Sequence, residues 1–387
     1  MNIGIDIRVL ARGARTGVEE YTINLLSCLL TLEPKINFHL FYNAYRKVDL
    51  DYNWLNLNNV KLKDFRIPNR FFFTTARYFE WPKIDKLLGD RGKLDIYFNP
   101  HFFVAPLTDG CKKVITFHDL SFEHHPEFFS WRKRVWQKFL MNTKKEAQKA
   151  DKIIAVSEST KSDLINLYRI DSEKIKVIYS GVGKQFKPMK LEVGPRFVRT
   201  SAEVRQNKVR PLIPEKFILY FGTIEPRKNL IGLIKAFELL KDKSIKLVIA
   251  GTKGWLYQDI FKIASQSKRK KDIIFTGFVK EEDKPYLYNL AQSFVYPSFF
   301  EGFGFPPLEA MACGIPTIVS ANSSLPEVVG DAALMVNPKN IDELAWAMEE
   351  SLVNNQLRER LIKKGLTQAQ KFSWQRCAQQ TLKVLTE

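Results

Sequence analysis

Nine consecutive residues, from Glu301 to Glu309, place two carboxylates around a turn that is rich in glycine and proline. The run follows a predicted strand, so it would lie at the carboxyl end of that strand, where open α/β sheets bind ligands. Gly302 and Gly304 let the backbone approach a ligand closely, and a proline suits the start of a helix whose positive end attracts an anion. The spacing predicts a phosphate-facing loop with both glutamates directed at one ligand. A strand-to-helix turn with two solvated glutamates fits the same spacing.

A second turn with anion-binding chemistry runs from Gly222 to Asn229 and follows a predicted strand over 217–221. Arg227 and Lys228 are adjacent cations at the start of the next helix. This arrangement suits a diphosphate whose negative charge grows as a bond to it breaks. Taken singly, the pair also fits a solvated helix cap, but two such turns in one predicted domain favour a phosphate-binding site.

Two further candidates lie nearer the N-terminus. Gly17 follows Thr16 and precedes an amphipathic run, so its backbone can offer an N–H group to an anion. His118 and Asp119 end a predicted strand over 113–117, again at a carboxyl end. This position favours a role at a ligand, and a hydrogen-bonded structural histidine is the alternative.

Few residues have the spacing of a metal or nucleotide motif. The four cysteines are far apart, and the one D-x-D triplet, Asp49 to Asp51, lies among polar residues and is interpreted as a loop. Neither half of the chain begins with a Walker motif or with G-x-G-x-x-G, and this argues against an ATPase and against a nicotinamide-dependent enzyme. We therefore expect no divalent metal site, no disulfide framework and a reducing compartment.

The composition is that of an ordinary globular protein, apart from its charge. The 387 residues are 45% apolar and 26% charged, and this length favours two domains over one core. A net charge of +18 indicates an anionic partner such as nucleic acid, acidic lipid or a phosphorylated substrate. The N-terminus alternates apolar residues with Asp6 and Arg8, and no long apolar run follows, so we expect neither a signal peptide nor a spanning helix.

Short β-branched or aromatic runs alternate with segments of helical period, which predicts α/β domains with parallel sheets. The predicted strands span residues 2–7, 38–42, 94–98, 113–117, 152–156, 217–221, 246–250, 272–276, 293–296 and 316–319. A basic stretch without periodicity interrupts this alternation. We predict a Rossmann-like domain over 1–187, a basic linker over 188–215, a second Rossmann-like domain over 216–371 and a C-terminal helix over 372–387.

Together these residues resemble the retaining, metal-independent glycosyltransferases of family 4, which have the GT-B fold of two facing Rossmann-like domains. The resemblance runs nearly the full length of the chain. The matching segments are Gly4-Ile5-Asp6, Thr16-Gly17-Val18, His118-Asp119-Leu120, Ala155-Val156-Ser157-Glu158-Ser159, Glu225-Pro226-Arg227-Lys228-Asn229, Glu301 to Glu309, Ala310-Met311-Ala312-Cys313-Gly314, Ser324-Leu325-Pro326-Glu327 and Phe372-Ser373-Trp374. They are most similar to a mannosyltransferase-type subgroup that builds bacterial surface polysaccharide.

The resemblance implies that the domain over 1–187 is the acceptor-side domain and that the domain over 216–371 binds the nucleotide sugar. Glu309 would bind the ribose hydroxyls of the nucleotide. Glu301 and the backbone amides of Phe303 and Gly304 would hold the donor sugar. The C-terminal helix would cross back to the N-terminal domain.

The resemblance also implies roles at the phosphates and at the reacting sugar. Arg227 and Lys228 would bind the diphosphate and stabilise its charge as it leaves. Gly17 would contact the phosphates from the first domain, and His118 would lie near the transferred sugar, against its 6-hydroxyl.

Two positions depart from the family pattern. Many members have an arginine directly after the glycine that matches Gly222, and this chain has Thr223, so Arg227 would be the main guanidinium on the phosphates. The subgroup usually has Gly-Arg where this chain has Glu19 and Glu20. Two acids near a phosphate loop would repel the donor unless they point away along the helix.

The resemblance implies an enzyme that transfers mannose or a related hexose from a nucleotide sugar to a saccharide acceptor. The mannosyltransferase-type subgroup implies GDP-mannose as the donor and a lipid-linked acceptor. The reaction would need no cofactor and no divalent metal. Another GT-B enzyme, a sugar phosphorylase or a nucleotide-sugar epimerase, is an alternative. A basic nucleic-acid-binding protein is the alternative from another class, but no nucleic-acid-binding motif accompanies the charge.

Nearly all of the excess positive charge lies in three segments, 61–93, 126–149 and 184–216. The first interleaves arginines with aromatic residues, and the second predicts a helix with Trp131, Val135 and Phe139 among its cations. Aromatic residues among cations suit an anionic membrane interface, although a core face with a solvated basic rim is the alternative. We expect a cytoplasmic enzyme that is peripheral on the inner face of the cytoplasmic membrane.

Overall fold

A computed structural model describes residues 1–12, 16–89, 93–131, 134, 141–189 and 213–387. These residues form two α/β units. The first unit comprises Met1–Leu120, Trp131–Gly181 and Ser373–Glu387, and the second comprises Ser121–Ser130 and Val182–Phe372. Most of the predicted linker, residues 190–212, and most of the predicted basic helix, residues 132–133 and 135–140, lie outside the described residues.

Each unit is built on one parallel sheet. The strands of the first unit are β1 (Asn2–Asp6), β2 (Asn37–Asn43), β3 (Val60–Phe65), β4 (Ile96–Asn99), β5 (Lys112–Phe117), β6 (Lys152–Ala155) and β7 (Ile175–Val177), in the order β3-β2-β1-β4-β5-β6-β7. Those of the second are β8 (Phe217–Phe221), β9 (Lys246–Ala250), β10 (Ile273–Gly277), β11 (Ser293–Tyr296), β12 (Thr317–Ser320) and β13 (Leu334–Val336), in the order β10-β9-β8-β11-β12-β13. In both sheets the order reverses beside the first strand, as in Rossmann folds.

Most helices fall between the strands, as the alternation in the sequence predicts, and the last three follow the final strand. They are α1 (Gly17–Leu32), α2 (Asn69–Tyr78), α3 (Ile84–Leu88), α4 (Ser121–His124), α5 (Thr143–Lys149), α6 (Glu158–Tyr168), α7 (Leu230–Leu239), α8 (Gln258–Gln266), α9 (Lys284–Leu290), α10 (Phe305–Ala312), α11 (Leu325–Val329), α12 (Ile341–Val353), α13 (Asn355–Ala369) and α14 (Trp374–Thr386). Among the described residues, no helix combines the length and the apolarity needed to span a membrane.

The central strands are continuous apolar runs because helices cover both faces of a parallel sheet. In β8, the side chains of residues 217–220 have no exposed surface. The ten predicted strands are all present, with ends that differ from the prediction by two residues at most. The prediction missed β3, β7 and β13, which lie at the edges of their sheets.

The last helix, α14, belongs to the first unit, as the resemblance implied. It packs against α1, where the Trp374 ring lies 5.9 Å from the ring of Tyr21. Gly181 makes the approach possible, because a Cβ atom there would lie 2.1 Å from the backbone nitrogen of Trp374. The C-terminal helix therefore completes the packing of the N-terminal unit.

Candidate active site

Two turns of the second unit meet where its strand order reverses. The turn after β8 carries Arg227 and Lys228, and the loop after β11 carries Glu301. Strands β8 and β11 are paired, with Leu219 opposite Phe294, so their carboxyl ends are neighbours. This is the position at which open α/β sheets bind ligands.

The local sequence fixes the direction of the two cations. Pro226 starts a 3-10 turn, Pro226–Lys228, which ends at Asn229 in a left-handed conformation with φ of 55°. The Asn229 side chain then caps α7 by accepting a hydrogen bond from the Gly232 amide at 3.3 Å. Arg227 and Lys228 are therefore presented from a rigid connection between β8 and α7.

Both cations hold the carboxylate of Glu301, one on each oxygen. The Lys228 ammonium donates to Oε1 of Glu301 at 2.6 Å and to the hydroxyl of Tyr296 at 2.8 Å. The Arg227 Nη1 group donates to Oε2 of Glu301 at 3.1 Å and to the carbonyl of Phe300 at 2.5 Å. The three residues that the sequence singled out for charge chemistry are thus in direct contact.

Burial and charge act in opposite directions on this cluster. Burial alone would raise the pKa of Glu301, but the charges of Arg227 and Lys228 outweigh it and lower the pKa to about 2. Burial lowers the pKa of Lys228 and Arg227 lowers it further, against the attraction of Glu301. Because the carboxylate is held by two cations, Glu301 is ionised at neutral pH.

A second carboxylate, which the sequence analysis did not single out, balances the cluster. Glu225 is buried and accepts hydrogen bonds from Arg227, with Nη2 at 2.9 Å and Nε at 3.1 Å from Oε1. Two cations are therefore paired with two carboxylates. Glu225 stands directly before Pro226 in the segment that resembles the family, so its place beside Arg227 and Lys228 was a usable signal.

Three polar residues after β12 hold the loop that carries Glu301. The Ser323 hydroxyl accepts from the Glu301 amide at 3.0 Å, and Asn322 donates to the carbonyl of Phe299 at 2.8 Å. The Ser324 hydroxyl lies 3.0 Å from the carbonyls of both Glu301 and Phe303. Apart from the matching segment that begins at Ser324, no pattern in the sequence pointed to these three residues.

The glycine turn leads into α10 as predicted. Gly304 has φ of 107°, and a Cβ atom there would lie 2.8 Å from Leu325, so glycine fits both the backbone and the space. Phe303 is buried, with its ring 5.8 Å from that of Phe372. Glu309 is buried within α10 and accepts a hydrogen bond from the Tyr288 hydroxyl at 2.7 Å. The loop and the helix thus carry Phe303, Gly304 and Glu309 in the same unit as Glu301.

Gly17 is the first residue of α1 in the first unit, and it is exposed. Glu19 does not point away along the helix, because its carboxylate turns back and accepts a hydrogen bond from the backbone amide of Thr16. The start of α1 therefore already holds a carboxylate.

His118 follows β5 in the first unit. Its Nε2 lies 2.8 Å from the carbonyl oxygen of Pro100, which can only accept, so Nε2 carries the proton. Burial lowers the pKa of His118, against the raising effects of this hydrogen bond and of Asp119. The Tyr21 ring packs edge-on at 4.8 Å. The neutral ring therefore leaves Nδ1 as a hydrogen-bond acceptor.

Among the described residues, no group of three or more histidine, cysteine, aspartate or glutamate side chains is arranged to hold a metal ion. The four cysteines are free.

Comparison with known proteins places this geometry in a family. The model of Glycosyltransferase Family 4 matches residues 15–185, and that of Glycosyl transferases group 1 matches residues 204–368. The O-antigen chain mannosyltransferase B of Escherichia coli is 35% identical over 295 residues, which are 74% of this chain and 73% of that protein. The chain belongs to glycosyltransferase family 4.

A further relative of this family 4 glycosyltransferase matches only in part. The serotype-specific mannosyltransferase WbdA of Escherichia coli is 36% identical over 245 residues, which are 62% of this chain and 29% of that protein. Among solved structures, a sucrose-phosphate synthase from Thermosynechococcus elongatus has a TM-score of 0.78 at 20% identity, covering 100% of this chain and 98% of that one. This structural likeness confirms the predicted GT-B fold.

Proposed function

We propose that this glycosyltransferase transfers mannose from GDP-mannose to a saccharide acceptor during surface polysaccharide synthesis. The two relatives described above are an O-antigen chain mannosyltransferase and a serotype-specific mannosyltransferase. Family membership supplies the reaction class, and these names support the sugar and the process.

The observation that carries the proposal is the contact of Arg227 and Lys228 with Glu301 at the reversal of strand order. A lysine ammonium has three N–H donors, and Lys228 uses two of them on Glu301 and Tyr296. Within the described part of the chain the third donor meets no acceptor, and we assign it to a phosphate oxygen of the donor. Arg227 and Lys228 then stabilise the charge that grows on the diphosphate as the glycosidic bond breaks, which is the electrostatic help that such a step needs.

In this mechanism the anomeric configuration is retained and no divalent metal takes part. The two cations supply the positive charge at the leaving diphosphate, and the acceptor hydroxyl attacks from the same face of the sugar. Glu301 and Glu309 bind donor hydroxyls, on the sugar and the ribose respectively. His118 accepts a hydrogen bond from a sugar hydroxyl through Nδ1. Gly17 is left out of the proposed phosphate contacts, because Glu19 places a carboxylate at the start of α1.

The acceptor in this proposal is lipid-linked, and the enzyme meets it at the inner face of the cytoplasmic membrane. Four exposed aromatic side chains of the first unit lie between residues 71 and 81, and we call Phe71, Tyr78, Phe79 and Trp81 the aromatic patch. Phe79 is 75% exposed and Trp81 55%. The Phe71 and Trp81 rings lie 6.5 Å apart, and contiguous exposed apolar surface is typical of an interaction surface.

The cations around the aromatic patch favour an anionic lipid surface. Phe71 and Tyr78 are seven residues apart on α2 and so share one face of the helix. Arg70 and Arg77 have the same spacing and lie beside them. Aromatic rings that enter the headgroup region, flanked by cations that attract acidic lipid, are the usual means of peripheral attachment.

Thermal-shift measurements with GDP-, UDP-, dTDP- and ADP-sugars test the donor. A ligand that binds only the native state raises its melting temperature, so GDP-mannose should raise it most. Proton NMR of the product formed with a mannose-terminated oligosaccharide should then show an α-mannosidic linkage, the anomer of the donor. A shift with UDP-sugars alone would overturn the donor, and a β-linkage would overturn retention.

Two controls separate the proposed reaction from its rivals. Turnover should be the same in EDTA as in buffer, and recovery of a lost activity by manganese would overturn metal independence. Formation of a sugar phosphate with inorganic phosphate in place of the acceptor would indicate a phosphorylase, and isomerised nucleotide sugar without acceptor would indicate an epimerase.

A further inference from the structure

Ten residues from the first half of the chain belong to the second unit. The segment Ser121–Ser130 follows directly after Leu120 of the first unit, yet it clusters with Val182–Phe372. It contains α4 and a 3-10 turn, Pro126–Phe128. None of these residues has a role in the proposed reaction. Their packing within the second unit, which carries Glu301, therefore needs another explanation.

Two rings of the 121–130 segment stack on the two residues that precede Glu301. The His124 ring lies 4.9 Å from the Phe300 ring, with 27° between their planes. The Phe128 ring lies 5.4 Å from the Phe299 ring, with 17° between their planes. Ring pairs at these distances attract one another. Each ring therefore holds one side chain of the loop that carries Glu301.

A tryptophan ties the same segment to the turn after β8. The Trp255 indole donates to the carbonyl of Phe128 at 2.6 Å, and its ring stacks on Phe129 at 5.5 Å. The neighbouring Gly254 amide donates to the carbonyl of Ile224 at 2.9 Å. The segment is thus connected to the loop that runs beside Arg227.

Phe299 and Phe300, on which the rings of Phe128 and His124 stack, are hydrogen-bonded to Arg227. The Phe299 amide donates to the carbonyl of Arg227 at 2.9 Å, and the Arg227 guanidinium donates to the carbonyl of Phe300 at 2.5 Å. A shift of Phe299 or Phe300 would therefore move Arg227 relative to Glu301. Small misplacements of catalytic groups lower turnover strongly.

We propose that the 121–130 segment positions the loop after β11 that carries Glu301. His124 and Phe128 are the positioning residues, and they act by ring stacking. The inference rests on the proposed function for the role of Arg227 and Glu301. It gives His124 a packing role in place of acid–base chemistry.

Hydrogen exchange on the ligand-free protein tests the packing without any assumption about substrate. The Phe299 and Glu301 amides donate to Arg227 and Ser323, so their exchange reports the position of the loop. We expect His124→Ala and Phe128→Leu to speed exchange in the peptide 298–304, and His124→Phe to keep the wild-type rate. Wild-type exchange in both disruptive variants would overturn the proposal. Equally fast exchange in His124→Phe would also overturn it, because the imidazole itself would then be required.

Turnover tests the consequence for the reaction. We expect His124→Ala to lower kcat roughly tenfold with the acceptor KM unchanged, and His124→Phe to restore it to within about twofold of wild type. Phe261→Ala, which removes a ring stacked at 4.4 Å on Phe275 elsewhere in the unit, is the matched control with normal kcat. Normal turnover in His124→Ala would overturn the positioning role even if exchange is faster. If the wild-type protein transfers no sugar from any donor, the proposed function fails, while the exchange result still decides the packing.

Discussion

The ammonium of Lys228 lies 2.6 Å from a carboxylate oxygen of Glu301, although 73 residues separate the two in the chain. Both side chains are at least nine-tenths buried, and Arg227 holds the other oxygen of the same carboxylate. Taking charges out of water is costly, and the cost is offset only when each charge has its partners. The cluster therefore couples the stability of the second unit to the charges that the proposed reaction uses.

The first prediction concerns Glu301→Gln and acid. The folded pKa of Glu301, about 2, lies below its ordinary value of 4.5, so its stabilisation is fully present above pH 4.5 and is lost as the pH falls toward 2. The difference between the two pKa values corresponds to about 3 kcal/mol of free energy of unfolding. In urea unfolding, Glu301→Gln should be less stable than wild type by about that amount at pH 7. The difference should shrink between pH 4.5 and 3, and a constant difference would contradict the ion cluster.

The second prediction concerns Lys228→Ala. The variant loses the donor that remains for a phosphate oxygen, and removing one such donor from a preorganised site lowers turnover about 100-fold or more. Donor KM should change little by comparison, because the charge develops as the bond breaks. Lys228→Arg, which keeps the charge, is the control and should retain more activity in a coupled assay of GDP release. Near-normal kcat in Lys228→Ala would remove Lys228 from the mechanism.

The sequence predicted the central strands well, because buried parallel strands are continuous apolar runs. The prediction over 217–221 coincides with β8. The missed strands are at sheet edges: β3 alternates Val60 and Leu62 with lysines, and β7 and β13 have three residues each. Such segments lack a continuous apolar run, and only their pairing with a neighbouring strand defines them.

The contact of Arg227 and Lys228 with Glu301 could be expected from sequence, since both turns follow strands of one sheet. The turn of Glu19 back to Thr16 was also readable, because Thr-x-x-Glu is a capping pattern. The stacking of His124 on Phe300 was not, because it depends on a chain segment that leaves one unit for the other. No local pattern encodes such a path.

The third prediction concerns Glu309→Gln. Tyr288 donates to Oε2 of Glu309, and the proposed role of this carboxylate is to accept hydrogen bonds from the ribose hydroxyls. Hydrogen bonds to a charged group are worth about 1.5–3 kcal/mol, so GDP should bind roughly tenfold or more weakly by calorimetry. Tyr288→Phe keeps the carboxylate and should weaken GDP binding less. Equal affinity in Glu309→Gln and wild type would show that the ribose lies elsewhere.

The fourth prediction concerns the acid limb of activity. The folded pKa of His118 is below its ordinary value of 6.5, so the neutral ring persists as the pH falls from 8 to 6.5 and protonates only at lower pH. Protonation removes the Nδ1 acceptor and should lower kcat. We expect a flat pH profile above 6.5 with a loss below it, and His118→Asn should have lower kcat without that His118-dependent loss. An acid limb of the same shape in His118→Asn would assign the loss to another group.

The fifth prediction concerns the aromatic patch. Phe79 and Trp81 are exposed, so their replacement by serine should leave the fold intact while removing apolar surface that would enter the headgroup region. In flotation with vesicles of phosphatidylglycerol and phosphatidylcholine, the double variant should partition roughly tenfold less than wild type. Trp346→Ser, which removes an exposed tryptophan from α12 of the second unit, should bind like wild type.

High salt should weaken wild-type binding, because the surrounding cations act by screened attraction to acidic lipid. Equal binding to pure phosphatidylcholine vesicles would contradict the role of these cations, and unchanged binding of the double variant would place the membrane contact on another surface.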